Sequence, residues 1–349
     1  MRRSMLMKVA LAATLVVWVA PARAAQETPV TCGQVVSGTV KLANDLLCAE
    51  TDGLIVGSDN TVIDLNGHRI DCIGGGYKGS CQGTSPPGVL SDPMPENGVD
   101  IDERHNVHVF TSVPGAAIAG FDNGVRIDGS TDVKVEHLLI TGPPATQPAN
   151  PRPPSHGVFV SSPCGGGHNH IGTGQRSGND VSNHNQGIAL HGGNCVNVVH
   201  NRVHDNNSDA SVPSNGILVD RASHNVVRGN EVTHNGDEDS TIDSGIQLRR
   251  EGTSDNLVTE NLVTENLGDG ISLRVGAVEN FITNNTMQLN GVPLSGTVFY
   301  DAAGRGAPGG PPGSPPPLNW WTQNNRCLTQ NDEVPPGTCD PDDVPPGEG

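Results

Sequence analysis

Polar side chains recur along the middle of this sequence at a nearly constant interval, and most of them can ionise. Each lies four residues after a glycine, and successive members are 25 to 33 residues apart. On stacked turns of chain they would lie side by side, so that an imidazole, a carboxylate and a guanidinium could transfer a proton and hold an anionic group. This polar row comprises Asp102, Asp128, Ser161, His191, Asp220, Arg249 and Arg274.

The glycines that precede the polar row mark a sequence repeat. Each begins a short alternating apolar string, such as NGVRI, QGIAL or NGILV. A nearly fixed period of this size predicts a solenoid, in which each repeat stacks on its neighbours. The glycines are Gly98, Gly124, Gly157, Gly187, Gly216, Gly245 and Gly270.

Each repeat contains two further short strands. The second starts at positions that align as Asn197, Asn225 and Asn256, and the third starts at asparagines such as Asn201 and Asn230. Three strands per turn, with Asn and Gly between them, predict a parallel β-helix whose coils lie ~4.8 Å apart. We expect the asparagines to form ladders, because their amides can hydrogen-bond from coil to coil and tolerate left-handed turns.

Composition and charge agree with one elongated all-β domain. Aromatic residues make up 3% of the 349 residues, while Gly numbers 45 and Pro 27, as expected for thin aliphatic stacks with many turns. The formal net charge is −18. This acidity argues against a nucleic acid partner. It also repels a polyanionic glycan unless a cation or a local arginine cluster bridges the two.

The N-terminus has the features of an export signal. A basic start at Arg2, Arg3 and Lys8 precedes an apolar stretch too short to span a membrane, and a small-residue cleavage site ends at Ala24. We expect residues 1–24 to be removed, which leaves a secreted or periplasmic protein with no membrane attachment. Removal takes away four basic residues and lowers the net charge to −22.

All eight cysteines lie after this signal, which predicts disulfides in an oxidising compartment. Cys164 and Cys195 are 31 residues apart, about one coil, and could join adjacent turns. Three further pairs are suggested by proximity in the sequence. They are Cys32 with Cys48, Cys72 with Cys81, and Cys327 with Cys339.

The ends of the solenoid are expected to carry caps, because an unpaired terminal coil invites edge-to-edge association. Trp320 and Trp321 are expected to plug the upper end rather than to stack on a sugar. The loops at 73–96 and 142–155 are long enough to be functional. The predicted segments are a signal peptide at 1–24, an N-terminal cap at 25–50, a β-helix at 51–300, a Gly/Pro-rich linker at 301–318 and a C-terminal cap at 319–349.

Three features of the sequence point to a known superfamily: the opening coil NTVIDLNGHRI, the repeated G-[VI]-x-[LIV] and N-x-V elements, and the ending NRC…C. By these features the chain, over about residues 30–340, resembles the secreted bacterial right-handed β-helix proteins of the pectin-lyase-like superfamily. The resemblance implies an all-β, single-stranded right-handed parallel β-helix of about 9 to 10 coils with disulfide-linked terminal caps. The superfamily includes lyases, epimerases, glycoside hydrolases and accessory proteins. No motif of any one of these enzymes is recognisable, so no catalytic residue carries over.

The polar row can be interpreted as the site of a polysaccharide lyase that acts on a uronate-containing glycan. His191 would be the base, oriented by Asp220, with Arg249 beside them. A neighbouring column, two residues after each glycine, would supply further contacts. The predicted substrate-binding residues are Arg126, Gln247 and Arg274, and the predicted Ca²⁺ ligands are Asp102 and Asp128.

Two other functions fit the same sequence. A retaining glycoside hydrolase would use Asp102 and Asp128 on adjacent coils, near the ~5 Å carboxyl separation of such enzymes. A non-catalytic envelope or surface protein would bind glycan or protein through its loops, and needs only the ladder and the caps. The sequence identifies neither the glycan nor the oligomeric state.

Overall fold

The regular structure of this chain is entirely β-strand in the parts that the computed structural model describes. Within these parts no helix occurs, and in particular none with the length and hydropathy needed to cross a membrane. The described residues are 26–49, 51–73, 97–142, 155–165, 167–174, 178–207, 213–237, 243–291, 302–304, 319–321 and 325–327.

Three long parallel sheets form the walls of a solenoid. The chain passes through the glycine sheet, then the second sheet, then the third sheet, and returns to the glycine sheet one coil further on. The three sheets have ten, eleven and ten strands respectively. This is the parallel β-helix that the repeat predicts, and the coil count agrees with the expectation.

The strands of each sheet are two to six residues long. The glycine sheet contains Gln34–Val36, Leu54–Val56, Asn97–Asp102, Asn123–Asp128, His156–Ser161, Gln186–His191, Asn215–Asp220, Ser244–Arg249, Asp269–Leu273 and Ala302–Gly304. The second sheet contains Glu27–Thr28, Thr39–Leu42, Val62–Asp64, His108–Phe110, Lys134–Glu136, Asn169–Gly172, Val196–Val199, Val226–Arg228, Leu257–Thr259, Phe281–Thr283 and Trp320–Trp321. The third sheet contains Leu46–Cys48, Arg69–Cys72, Ala117–Ala119, Leu139–Thr141, Asp180–Ser182, Arg202–His204, Glu231–Thr233, Leu262–Thr264, Thr286–Gln288 and Arg326–Cys327. Thr253–Ser254 and Ala277–Val278 form a separate two-stranded sheet.

The repeated glycine is required by close packing inside the coil. A Cβ on Gly216 would lie 2.5 Å from Cγ1 of Val232 in the third sheet and 2.7 Å from the carbonyl oxygen of Gly245. No side chain fits at these separations. The glycine therefore lets the first strand of each coil pack directly against the third sheet and against the next coil.

Aliphatic side chains one and three residues after each glycine fill the interior. None of them is more than 2% exposed, and each contributes about 1.5–3 kcal/mol by leaving water. They stack in two columns, as the alternation in the sequence predicts. The columns are Val99, Val125, Val158, Ile188, Ile217, Ile246 and Ile271, and Ile101, Ile127, Val160, Leu190, Val219, Leu248 and Leu273.

Asparagine ladders close all three turns, which confirms the predicted coil-to-coil hydrogen bonds. Nδ2 of Asn230, for example, donates to Oδ1 of Asn261 at 3.0 Å and to the carbonyl oxygen of Val198 at 3.0 Å. Buried amides are stable here because a neighbouring coil satisfies them. The ladders comprise Asn225, Asn256, Asn280 and Asn319; Asn179, Asn201, Asn230, Asn261, Asn285 and Asn325; and Asn206, Asn235, Asn266 and Asn290.

Two predicted disulfides are confirmed. They are Cys32–Cys48, in the first coil, and Cys164–Cys195, which joins adjacent coils. Two other predicted pairs each include one cysteine outside the described residues. They are Cys72–Cys81 and Cys327–Cys339.

The two ends are described in part. Residues 26–49 contribute strands to all three sheets. Trp321 packs against the core, as expected for a plug, whereas Trp320 is 42% exposed on the outer face of the second sheet. The predicted signal at 1–24, most of the two predicted loops and most of the residues after 291 lie outside the described residues.

Candidate functional site

The strand register places the polar row where the sequence predicts it. Asp128 pairs with Asp102, and Asp220 pairs with both His191 and Arg249. Neighbouring members are therefore about one coil, ~4.8 Å, apart on the outer face of the glycine sheet. Beside them runs the predicted column two residues after each glycine.

His191 is held by polar groups on both ring nitrogens. Nδ1 lies 3.5 Å from Oδ2 of Asp220, and Nε2 lies 3.3 Å from the side-chain amide of Gln186. The imidazole is 26% exposed, so one edge reaches solvent. Burial lowers the pKa of His191; Asp220 opposes this shift, and the surrounding guanidinium groups reinforce it. The ring is therefore neutral near pH 7 and can accept a proton.

Asp220 is the electrostatic centre of the site. Its side chain is fully buried, and three guanidinium groups surround it. Nε of Arg249 lies 3.1 Å and Nη1 of Arg250 lies 2.9 Å from Oδ2, while Nε of Arg221 lies 3.4 Å from Oδ1. Three positive groups around one carboxylate leave a local excess of positive charge on a chain whose net charge is −18.

Arg221 and Arg250 were not identified from the sequence. They follow Asp220 and Arg249 directly, so strand alternation alone would point them away from the row. Both have a left-handed backbone, with φ of +53° and +71°, which turns the chain and returns their side chains to the carboxylate. Their occurrence at equivalent positions of adjacent coils was the signal available in the sequence.

Two aromatic rings pack against His191 and fix its plane. Phe159 stacks on it, with centroids 5.6 Å apart and planes 24° apart, and His156 meets it edge-on at 5.6 Å. His156 is buried, and burial lowers its pKa to about 3. This second histidine is therefore neutral and adds no charge. It was not predicted as a site residue, although it directly precedes Gly157.

The predicted substrate-binding residues occupy different environments. Gln247 is 1% exposed, and Nη1 of Arg249 donates to its Oε1 at 3.4 Å, so Gln247 supports Arg249 rather than reaching solvent. Arg274 is 11% exposed, and its Nη2 donates to Oδ2 of Asp269 at 3.0 Å. Of the predicted row, Arg249 is the guanidinium that lies with His191 and Asp220.

Arg126 lies within the predicted calcium site. Nη1 donates to Oδ1 of Asp100 at 3.0 Å, and Nη2 donates to Oδ2 of Asp128. Burial raises the pKa of Asp100, and the ion pair with Arg126 opposes that shift. The like-charged stack of Asp102 and Asp128 thus has an internal counter-ion. Ca²⁺ binding by these two carboxylates stays a prediction, and it would require Arg126 to release Asp128, because the guanidinium occupies that carboxylate.

A protein-family model agrees with the fold. The family model described as "Right handed beta helix region" matches residues 123–304. A search of curated proteins finds no match. Among solved structures, a double mutant of the periplasmic alginate epimerase AlgG is 14% identical with a TM-score of 0.47, over 78% of this chain and 63% of that chain, so the chain spans less than two thirds of the epimerase. An alginate lyase from Paenibacillus sp. str. FPU-7 is 14% identical with a TM-score of 0.47, over 77% and 91%. The Dettilon tailspike protein is 16% identical with a TM-score of 0.46, over 78% and 57%.

Proposed function

This chain belongs to the proteins that contain a right-handed β-helix region, and we propose that it is an exported polysaccharide lyase that cleaves a uronate-containing glycan by β-elimination. One observation carries the proposal. A neutral, partly exposed histidine lies against a fully buried aspartate within a cluster of three arginines. The cluster supplies both the base and the anion-binding groups that this reaction needs.

The arginines bind the uronate carboxylate. Arg250 and Arg221 are 51% and 61% exposed, so their guanidinium groups can reach a polymer lying on the sheet. Neutralising the carboxylate makes the proton on the adjacent C5 more acidic, and the charge that develops on the carboxylate oxygens is stabilised by the same groups. An acidic protein thereby holds a polyanion at one local positive patch.

His191 transfers the proton. Nε2 takes the proton from C5, the C5–H electron pair forms the C4=C5 double bond, and the C4–O bond breaks with its electrons on the leaving oxygen. The imidazolium then returns that proton to the leaving oxygen. Asp220 keeps Nδ1 protonated during these steps, so the base is Nε2, which exchanges its 3.3 Å contact with Gln186 for the C5–H of the substrate.

Export is part of the proposal. The disulfides Cys32–Cys48 and Cys164–Cys195 are stable in an oxidising compartment, which supports a secreted or periplasmic location. The predicted signal at 1–24 stays a prediction. A polysaccharide outside the cytoplasm is then the accessible substrate.

The test is the appearance of the conjugated double bond, followed by ultraviolet absorbance, with alginate and polygalacturonate as probes. We expect absorbance to rise with the full protein, and His191→Ala to lower the rate by about 10²-fold or more. His105→Ala is the matched control, because His105 is a surface histidine 3.1 Å from Asp132 and outside the row. New reducing ends without the double bond would show hydrolysis. Exchange of the C5 proton without cleavage would show abstraction alone. Either outcome overturns the elimination step.

A further inference from the structure

A groove of about 670 Å³ lies on a different wall of the solenoid from the polar row. It runs across the outer face of the second sheet, over the strands that start at Asn169, Val196, Val226 and Leu257. One rim is the segment after Gly172, where Nδ1 of His200 hydrogen-bonds to the carbonyl oxygen of Thr173 at 2.9 Å. The volume is in the range of a saccharide-sized or drug-sized site.

The floor of the groove is an apolar stripe that continues beyond it. Register pairs Val226 with Leu257, Leu257 with Phe281, and Phe281 with Trp320. The last two rings stack with centroids 4.5 Å apart and planes 13° apart, and they are 44% and 42% exposed. A sheet face in contact with water alone would not be expected to expose two adjacent large aromatic rings.

Polar groups that have no partner among the described residues flank the stripe. The sequence aligns Asn197 with the ladder residue Asn225, but the register pairs Asn197 with Val226, one position further along. Its amide therefore points into the groove rather than into a ladder. Arg228 and Glu260 line the groove too, and within the described residues none of these three side chains has a hydrogen-bond or ion-pair partner.

The charge of the groove is balanced. One guanidinium and one carboxylate line it, and burial, together with the neighbouring Lys134, lowers the pKa of His170, which keeps that ring neutral. The backbone N–H and C=O groups of the floor are already hydrogen-bonded between the parallel strands of the second sheet, so this face cannot accept an added peptide strand. An uncharged polyhydroxy chain complements an apolar floor with amide, guanidinium and carboxylate groups at its sides.

We propose that this groove, with the exposed Phe281–Trp320 stack at its end, binds a pyranose chain as a second, non-catalytic glycan site. The site goes beyond the proposed lyase reaction and does not depend on it, because it lies on another sheet and shares no residue with the polar row. Neutral and uronate chains offer the same ring faces and hydroxyl groups. The neutral chain is expected to bind at least as tightly, since the protein is acidic and the groove has no excess positive charge.

The experiment measures binding of xylohexaose and of hexagalacturonate by calorimetry, with the full-length His191→Ala protein so that no cleavage occurs. We expect Leu257→Ala and Trp320→Ala to weaken binding of xylohexaose at least tenfold, whereas hexagalacturonate should still bind both variants at the arginine cluster of the polar row. Leu262→Ala is the matched control, because Leu262 is 42% exposed on the third sheet, and it should leave binding unchanged. Circular dichroism and thermal unfolding verify that each variant folds.

The outcomes separate the groove from the proposed reaction. Xylohexaose binding that the two groove variants leave unchanged, binding of hexagalacturonate alone, or no binding of either probe would overturn the groove proposal. None of these results changes the double-bond assay on the wild-type protein. If the protein binds xylohexaose through Leu257 and Trp320 but forms no double bond, the groove proposal stands and the lyase proposal is wrong.

Discussion

Nδ1 of His191 lies 3.5 Å from Oδ2 of Asp220, and the carboxylate is fully buried while the imidazole is partly exposed. The buried partner therefore cannot reach a polymer, and the exposed partner can. Asp220 acts as a positioning residue for His191, and it also holds three arginines that would otherwise repel one another.

Replacement of Asp220 by Asn should destabilise the protein as well as slow the reaction. The change keeps the shape but leaves the guanidinium groups of Arg249, Arg250 and Arg221 without a counter-charge, so the free energy of unfolding should fall by about 3 kcal/mol. Urea titration measures this. Glu231→Gln is the control, because the Glu231–Arg202 pair is 3.9 Å apart and exposed on both sides, and its loss should cost less than about 1 kcal/mol. Equal losses in both variants would contradict the central role of Asp220.

The acid limb of the pH–rate profile should lie below the ordinary histidine pKa. The base must be unprotonated, so kcat/KM falls as pH drops through the pKa of His191, which burial and the arginines lower. Arg250→Gln removes one of those positive charges, and the limb should shift to higher pH. A limb that does not move in Arg250→Gln would separate His191 from the arginine cluster.

Two buried histidines should make stability depend on pH. Burial lowers the pKa of His156 and His184 to about 3. The unfolded chain binds their protons near pH 6.5, so their stability contribution is complete above that pH and is lost as pH falls towards 3, by about 1.4 kcal/mol per pH unit for each ring. Melting temperatures between pH 7 and pH 4 measure the slope.

His184→Leu should remove half of that slope. Within the described part of the chain neither ring nitrogen of His184 has a hydrogen-bond partner, and Phe121 and Leu267 occupy the same position, three residues before the glycine, in other coils. Removing the unsatisfied polar atoms should raise the free energy of unfolding at pH 7 by about 1–3 kcal/mol. An unchanged slope in His184→Leu would mean that this ring is not buried in solution.

Asn261→Ala should lower the free energy of unfolding, whereas Asn197→Ala should leave it unchanged. Nδ2 of Asn261 donates to Oδ1 of Asn285 and to the carbonyl oxygen of Val227, both at 2.9 Å, and Asn230 donates to its Oδ1. Truncation leaves several buried groups unsatisfied, at a cost of about 2–4 kcal/mol. Asn197 lies outside the ladder, so its truncation should leave the urea midpoint unchanged. Similar midpoints for both variants would contradict the ladder.

Chelation should not abolish the reaction if Arg126 neutralises the acidic end of the row. EDTA should leave the rate of double-bond formation unchanged, because Arg126 already pairs with Asp100 and Asp128. A rate that is lost with EDTA and restored by Ca²⁺ would show that Arg126 moves aside for the cation. Arg126→Gln, measured in the same assay, would then bind Ca²⁺ more tightly.

The period of the repeat made the fold and the row predictable. Because strand residues alternate and coils stack in register, counting from each glycine placed His191, Asp220 and Arg249 beside one another. Counting from the glycine does not predict the direction of side chains in the turns that follow the strands. Arg221 and Arg250 were missed because a left-handed backbone redirects them, and no count within a strand includes that change.

Burial and one misaligned asparagine account for the remaining differences. Gln247 was expected to contact substrate, but a position on the outer face of a sheet does not reveal what covers it. Asn197 was matched to Asn225 by residue type, but it is ten residues after Gly187 whereas Asn225 is nine after Gly216, so Val196 occupies the ladder position in that coil. Within a strand, a shift of one residue reverses the direction of the side chain. Arg126 was expected to bind substrate, and its acidic neighbours Asp100 and Asp128 engage it instead.

The asparagine ladders give the solenoid a polarity. From Asn179 through Asn201, Asn230 and Asn261 to Asn285, each side-chain amide donates to the coil that follows it in the sequence. The first coil of such a column therefore offers an acceptor oxygen and the last coil offers N–H donors. Two stacks can be spliced head to tail but not tail to tail, so coils taken from another protein of this kind can be inserted in one orientation only.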